Sequence, residues 1–532
     1  MEENIESVEQ ESALKSFANE LMDRNKNKFS HEDYRSLQEI TDGGEQLKKV
    51  VELLLSDQAL YLLKSLSMID EDIDYESIQD AFTDFDNLDG VLDELAQAGL
   101  LKTEDDIIAF TAPETKKMFS EDKKEYHSLA YNYYSKKAEK SENPVFKVKA
   151  LQHSVNAGHI DHALGIFSEL SRNHGKRADE VTEAGEELLK RVEGINKGEV
   201  FKMLGSAYFD SGSLDKAKDR YAQALDIYMD YSRQDEEKYM PELAKILNNL
   251  GNACRHRGDN EEAEKHFKYS AKVFTELKMP ENLSVTLENL GTLYRDSKRY
   301  DEAEHMFKQV IELRKDILRG ENIPGVSTAY HNLASVYKLQ ERVDDAENTY
   351  KELIDYLEKN ATGEHKSFIY EAKNSLASYY TKLGRPDEAL EIVYDIMSDL
   401  ELIPEVRTGV YITAAKAMEQ KGEKENAADL YMKAASLSFI LFRTYGIYIA
   451  NFIHYLEKVE ELASGKLRGD ATLMRLGILK NYYEGKKMHI GEMECGERGQ
   501  MILHAIKGKS ISKFKVESQE DKAAYIIAND IR

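Results

Sequence analysis

The chain has 532 residues, a formal net charge of −26, 32% charged residues, and only 30 Gly and 7 Pro. That composition suits a helix-rich protein with room for several modules, and so negative a chain disfavours generic binding to nucleic acid or anionic membranes. No apolar run approaches the ~18 residues that span a bilayer, and the start, Met1-Glu2-Glu3-Asn4, lacks a secretory signature. The two cysteines, Cys254 and Cys495, belong to no CxxC, which excludes a disulfide framework and a cysteine-based zinc site and fits a reducing cytoplasm.

Residues 1–28 are polar, with a weak helical period at Leu14, Phe17 and Leu21, and are expected as a frayed helix. From Phe29 the signals sharpen. Ser30, with Glu32 and Asp33 behind it, opens a helix. The stretch Leu37-Gln38-Glu39-Ile40-Thr41-Asp42-Gly43-Gly44 then leads into an apolar helix through Leu53-Leu54-Leu55. Three helices follow: one on Ala59, Leu62, Leu63 and Leu66, one on Tyr75, Ile78 and Phe82, and one on Leu88, Val91, Leu92 and Leu95. Gly99 closes the third, and Leu100–Phe110 reads as a hairpin. Over residues 29–115 this order resembles the lid and winged-helix segment of STAND-type ATPases, with its Thr-Gly-Gly turn. No GxxxxGK[ST] phosphate cradle occurs in the chain, so the resemblance implies a lost motor, or an ATPase partner that supplies one in trans. A DNA-reading third helix needs Arg or Lys. Between Lys64 and Lys102 there are eleven acidic residues and no basic one, which points instead to a spacer or protein-docking module.

Residues 116–198 read as connecting helices and a divergent first repeat, with Leu151, Ala163 and Phe167 near repeat spacing. His153, His159, Asp161 and His162 are metal-ligand types, but Asn156–His159 falls where a turn between helices belongs, so they are expected as turn residues. From 199 to 440 one pattern recurs. Leu204-Gly205, Tyr208, Ala217, Tyr221 is followed by Leu250-Gly251, Ala263, Phe267 and by Leu290-Gly291, Tyr294, Ala303, Phe307. Then come Leu333-Ala334, Tyr337, Ala346, Tyr350, next Leu376-Ala377, Tyr380, Ala389, Val393, and last Ala414-Ala415, Ala427, Tyr431. Small residues on two antiparallel helices let the backbones approach closely, with an aromatic beside the contact. The pattern resembles the tetratricopeptide repeat. Its Ala anchors, from Ala217 to Ala427, are spaced 46, 40, 43, 43 and 38 residues apart, longer than the ~34 of the standard repeat and similar to the repeats of kinesin light chains. The fold class expected is therefore mainly α: a helical-hairpin solenoid, with a winged-helix-like module before it and a small α+β module after it.

Residues 441–485 read as capping helices, and 486–532 as a basic module with strand-like runs at Met501–Leu503, Ile511–Val516 and Tyr525–Ile527. The candidate site lies on the first helices of the hairpins. Two residues before the small anchor stand Asn249, Asn289 and Asn332, then Ser375; four after it stand Arg255, Arg295 and Lys338, with Lys245 and His331 nearby. In the kinesin-light-chain type such an asparagine ladder grips the backbone of an extended peptide, and a carboxamide both donates and accepts, as that role requires. The cations point to acidic side chains on the partner. Alternatively, the Asn residues bridge neighbouring helices and the Arg residues pair with Glu288 or Asp296. No HExxH, GxSxG or Cys–His nucleophile setting occurs, so neither enzyme activity nor a cofactor is expected. The function read here is a non-enzymatic scaffold or signalling adaptor holding an extended partner segment in the concave groove of the solenoid, which the first helices line. The alternative is a transcription or translation regulator touching nucleic acid through the basic tail or the wing.

Overall fold

The computed structural model describes residues 2–71, 73–83, 85, 87–104, 106–120, 123–141, 143–172, 177–318, 322–398, 403–445, 449–482, 497–506, 516 and 518–531. The chain is mainly α-helical and divides into two compact units, 1–277 and 278–532. Among the described residues no helix is long and apolar enough to cross a membrane.

The first unit opens with α1 (Glu2–Arg24), α2 (His31–Gln38) and α3 (Gly43–Leu54). A capping box between Ser30 and Asp33 starts α2, and Asp42 caps α3 by accepting from the Glu45 amide. Helix α1 is docked, not frayed: Ala18, Leu21 and Met22 are buried in the core. Its backbone crosses so close to α3 that a Cβ on Gly43 would lie 2.5 Å from the Glu11 carbonyl oxygen and 2.7 Å from the Lys15 nitrogen. The Gly-Gly turn thus has a packing role that needs no nucleotide. Gly43→Ala is expected to loosen α1 from α3, and urea titration followed by proteolysis of α1 measures it.

Next come α4 (Asp57–Leu66), β1 (Ile73–Asp74), α5 (Tyr75–Ala81), α6 (Leu88–Ala98), β2 (Leu101–Glu104) and β3 (Ile107–Phe110). The strands form an antiparallel sheet in the order β1-β3-β2, with Leu101 opposite Phe110 and Ile73 opposite Ile108. These are the three helices and the hairpin expected there. The row of acidic residues has local partners. From α8 (Lys124–Lys140), which follows α7 (Pro113–Phe119), Lys137 reaches Glu71 at 2.7 Å and Asp74 at 3.2 Å, while Lys140 reaches Glu76 and Asp80, each at 2.7 Å.

Helices α9 (Pro144–Ala157) and α10 (Ile160–Leu170) form a hairpin where a divergent first repeat is expected, turned at Gly158 with φ +82. His159 meets the Ser128 hydroxyl at 2.9 Å, and His159 and His162 flank the ring of Tyr131, so they serve packing. His153 and His127 are buried with their Nδ1 atoms 2.8 Å apart, and the Tyr134 ring stacks on His153. One Nδ1 must donate while the other accepts, so the accepting ring is neutral. Burial, with His127 and Lys149 nearby, pushes His153 down to about 3. An unfolded histidine titrates near ~6.5, so between these values the unfolded chain binds the extra proton. This contribution is complete above the unfolded value and is lost as pH falls toward the folded one. Melting temperature is therefore expected to fall between about pH 7 and 5, and His153→Gln to flatten that fall; differential scanning calorimetry reads both.

The unit continues through α11 (Ala178–Leu189), α12 (Gly194–Asp210), α13 (Leu214–Ser232), α14 (Glu236–Arg257) and α15 (Asn260–Glu276). The small anchors pack as their spacing requires. A Cβ on Gly205 would stand 2.6 Å from the Tyr221 ring, and one on Gly251 2.7 Å from the Phe267 ring.

The second unit carries α16 (Pro280–Asp296), α17 (Tyr300–Leu318), α18 (Ile323–Leu339), α19 (Val343–Asn360), α20 (Ser367–Lys382), α21 (Pro386–Met397), α22 (Pro404–Gln420) and α23 (Lys424–Tyr445). They pair as hairpins, and α16, α18, α20 and α22 lie side by side as one layer. Helices α24 (Ile449–Leu462) and α25 (Gly465–Tyr482) follow, then α26 (Glu497–Ile506) and α27 (Gln519–Ile531). The strands expected at Met501–Leu503 and Tyr525–Ile527 are therefore helical. The third run lies outside the described residues except for Val516. Ala523, Ala524, Ile527 and Ala528 are buried together, a helical period that short apolar runs conceal. Asp470 of α25 accepts from the Gly499 amide at 2.8 Å and so caps α26.

Candidate functional site

In the first unit, Asn249 sits half-buried on α14, and among the described residues its side chain makes no hydrogen bond. Lys245, one turn earlier, pairs with Glu242 at 2.6 Å, and Glu242 also takes Lys202 at 3.0 Å. Arg255 lies with Nη2 3.0 Å from the His256 ring, which stands edge-on to Phe209.

In the second unit, the layer of first helices carries the rest. Asn289 is half-buried on α16. Asn332 of α18 is a bridge: its Nδ2 donates to Glu288 Oε1 at 2.9 Å, and its Oδ1 faces Arg295 Nη1 at 3.5 Å. Arg295 in turn pairs with Asp296 at 3.0 Å. The other Glu288 oxygen takes Arg314 of α17, 5% exposed, at 2.5 Å, and Arg314 Nη1 donates to the Gly325 carbonyl at 2.6 Å. One carboxylate therefore ties α16, α17 and α18 together. Arg314 had a sequence signal that went unread: it falls on the buried stripe of Phe307, Val310 and Ile311, where a charge demands a partner.

His331 does not carry the positive charge its place suggests. Its Nδ1 meets the Ser327 carbonyl at 2.8 Å and its Nε2 the Ser375 hydroxyl at 3.1 Å, and burial pushes its pKa down, so at neutral pH the ring is uncharged. Lys338 is different. Its ammonium donates to the Tyr350 hydroxyl at 2.9 Å and lies 5.3 Å and 5.9 Å from the ring centres of Tyr350 and Tyr379. Among the described residues no carboxylate pairs with it, and burial lowers its pKa. On α20, Asn374 adds a buried Oδ1 without a hydrogen-bond partner among the described residues. Asn374, one residue before Ser375, was not among the residues read from sequence, because the ladder was counted one position later.

The described cysteine, Cys254, is buried, and burial pushes its thiol up to about 11, away from an activated nucleophile. In the basic C-terminal segment, Lys486, Lys487, Lys507, Lys509, Lys513 and Lys515 lie outside the described residues. Arg498 pairs with Asp521 at 2.8 Å.

Stacked two-helix hairpins with a small-residue contact and a layer of first helices define a helical-repeat protein. Sequence profiles specify the class: tetratricopeptide repeat profiles match residues 202–272, 242–316 and 329–363, and a PPR repeat profile matches 372–399. The chain therefore carries tetratricopeptide repeats over these residues. No curated protein sequence matches it. Among solved structures it is similar to a signal transduction ATPase with numerous domains and a tetratricopeptide repeat sensor from Pyrococcus horikoshii. That likeness has 14% identity, covers 88% of this chain and 69% of that one, and has a TM-score of 0.42. A kinesin light chain repeat protein from Podospora anserina shares 19% identity over 39% of this chain and 99% of its own, with a TM-score of 0.31. A Rap protein complexed with competence and sporulation factor shares 14% over 64% and 94%, with a TM-score of 0.32.

Proposed function

We propose that this protein is a non-enzymatic interaction scaffold that holds an extended, acidic partner segment on the layer of first helices in its second unit, at α18 and α20. Repeat hairpins of this type present extended binding surfaces. The observation that carries the reading is Lys338. An ammonium half-withdrawn from water among aromatic rings, with no carboxylate of its own, is suited to take one from a ligand. On α20, Asn374 Oδ1 lacks a hydrogen-bond partner among the described residues and is suited to accept from a peptide N–H. Asn332 supports the site from behind through Glu288 and Arg295. The acidic module around α6 reads as a spacer, since Lys137 and Lys140 already answer part of its charge.

A fluorescent glutamate-rich peptide provides the test by anisotropy. Wild-type protein is expected to bind it more weakly as salt rises. Lys338→Gln is expected to cost about 1.5–3 kcal/mol, roughly tenfold to a hundredfold in Kd, as for a charge-assisted hydrogen bond. Equal binding by Lys338→Gln, or better binding of a lysine-rich peptide, would sink the proposal.

A further inference from the structure

We infer that Cys254, Glu262 and His266 form a binding site for a borderline-soft divalent cation of the zinc class. Cys254 lies in the last turn of α14, and the chain reverses through Gly258, at φ +90, and Asp259. That reversal brings Glu262 and His266, one turn apart on α15, opposite the thiol. The sulfur, one carboxylate oxygen and one ring nitrogen all lie within 4.8 Å of one another. Glu262 Oε1 and His266 Nε2 are 3.7 Å apart, too long for a hydrogen bond. Two ligands at ~2.0–2.3 Å from one tetrahedral ion stand roughly 3.3–3.7 Å apart. His266 Nε2 is itself buried and has no hydrogen-bond partner among the described residues.

Two departures from the repeat pattern meet here. Three residues after the small anchor four of the other repeats carry Tyr208, Tyr294, Tyr337 and Tyr380 and the last carries Met418, and over Tyr294, Tyr337 and Tyr380 an Arg packs at 4.2–4.3 Å. This repeat carries Cys254 instead. Three residues after the Ala anchor, the others carry Arg220, Met306, Thr349, Ile392 and Leu430, whereas this one carries His266. Apolar filling alone does not call for a thiol and an imidazole to replace them on facing helices.

The remaining neighbours suit an ion. Lys218 of α13 holds the other Glu262 oxygen at 2.6 Å and Asp259 at 3.2 Å, which fixes the carboxylate with Oε1 toward His266. A thiolate and a carboxylate balance a dication, and a sulfur ligand selects zinc or cobalt over magnesium or calcium. The sequence excludes a cysteine-based zinc site because neither cysteine belongs to a CxxC; the site inferred here departs from that expectation, with a single cysteine joined by Glu262 and His266. Water completes four-coordination.

Cobalt(II) titrated into the full chain after chelator treatment tests the site. Wild type is expected to develop a thiolate-to-cobalt charge-transfer band that saturates at one ion per chain and is displaced by zinc. Cys254→Ala is expected to abolish the band and Cys495→Ala to leave it intact. Glu262→Gln, at a less buried position, keeps the fold and is expected to weaken cobalt binding by roughly tenfold to a hundredfold. Circular dichroism confirms that each variant is folded. No band in wild type, a band that follows Cys495, or binding unchanged in Glu262→Gln overturns the inference.

Discussion

Arg314→Ala is expected to destabilise the second unit by about 3–5 kcal/mol, the range for removing one partner of a buried ion pair. The substitution strips Glu288 of its cation and leaves the Gly325 carbonyl without its donor. Because Glu288 also holds Asn332, the damage spreads from α17 to both flanking first helices. Hydrogen exchange is the measurement that localises it: amides of α16–α18 should exchange faster, while those of α12–α14 keep their wild-type rates. Arg314→Met combined with Glu288→Gln should lose much less than the two single variants summed, since no bare charge remains buried. A urea midpoint unmoved by Arg314→Ala would show that the pair contributes nothing net.

Phe267→Ala is expected to cost about 3–5 kcal/mol through the cavity it opens under a fully buried ring. Its second consequence is a change of sign at Gly251. In the wild type a Cβ there meets the Phe267 ring at 2.7 Å, so Gly251→Ala should cost roughly 1–3 kcal/mol by overpacking. With the ring gone the same substitution should stabilise by about 1 kcal/mol, because alanine is the better helix residue and now fills space. Chemical denaturation of the four proteins in the cycle gives the coupling directly. An equal cost of Gly251→Ala in both backgrounds would mean that the small anchor is not reserved for the aromatic.

The hairpins were legible because their spacing is itself the packing rule: Gly205 against Tyr221 and Gly251 against Phe267 are contacts that a twelve-to-sixteen-residue offset encodes. The docked α1 was less so, since its buried residues, Ala18, Leu21 and Met22, sit within a run dominated by charge. Met501–Leu503 and Tyr525–Ile527 were misread because three apolar residues fit either period. For the site, the positions of Asn332, Arg295 and Lys338 could be counted from the anchors. Their partners could not, because Glu288 and Arg314 come from neighbouring helices and only tertiary packing decides which cation receives a carboxylate. Lys338 stands out only once that allocation is known.

The carboxylate shared by Arg314 and Asn332 also bears on how such an array changes length. Repeat proteins grow and shrink by copying or excising whole units, which works where each junction is interchangeable. At the junction of α17 and α18 the unit on one side supplies the acid and the guanidinium, and the next supplies the carboxamide and the carbonyl. A copied unit inserted there would part these groups and bury a charge without its full shell. That junction is therefore a poor place to duplicate or delete a unit, and chimeras should be spliced elsewhere.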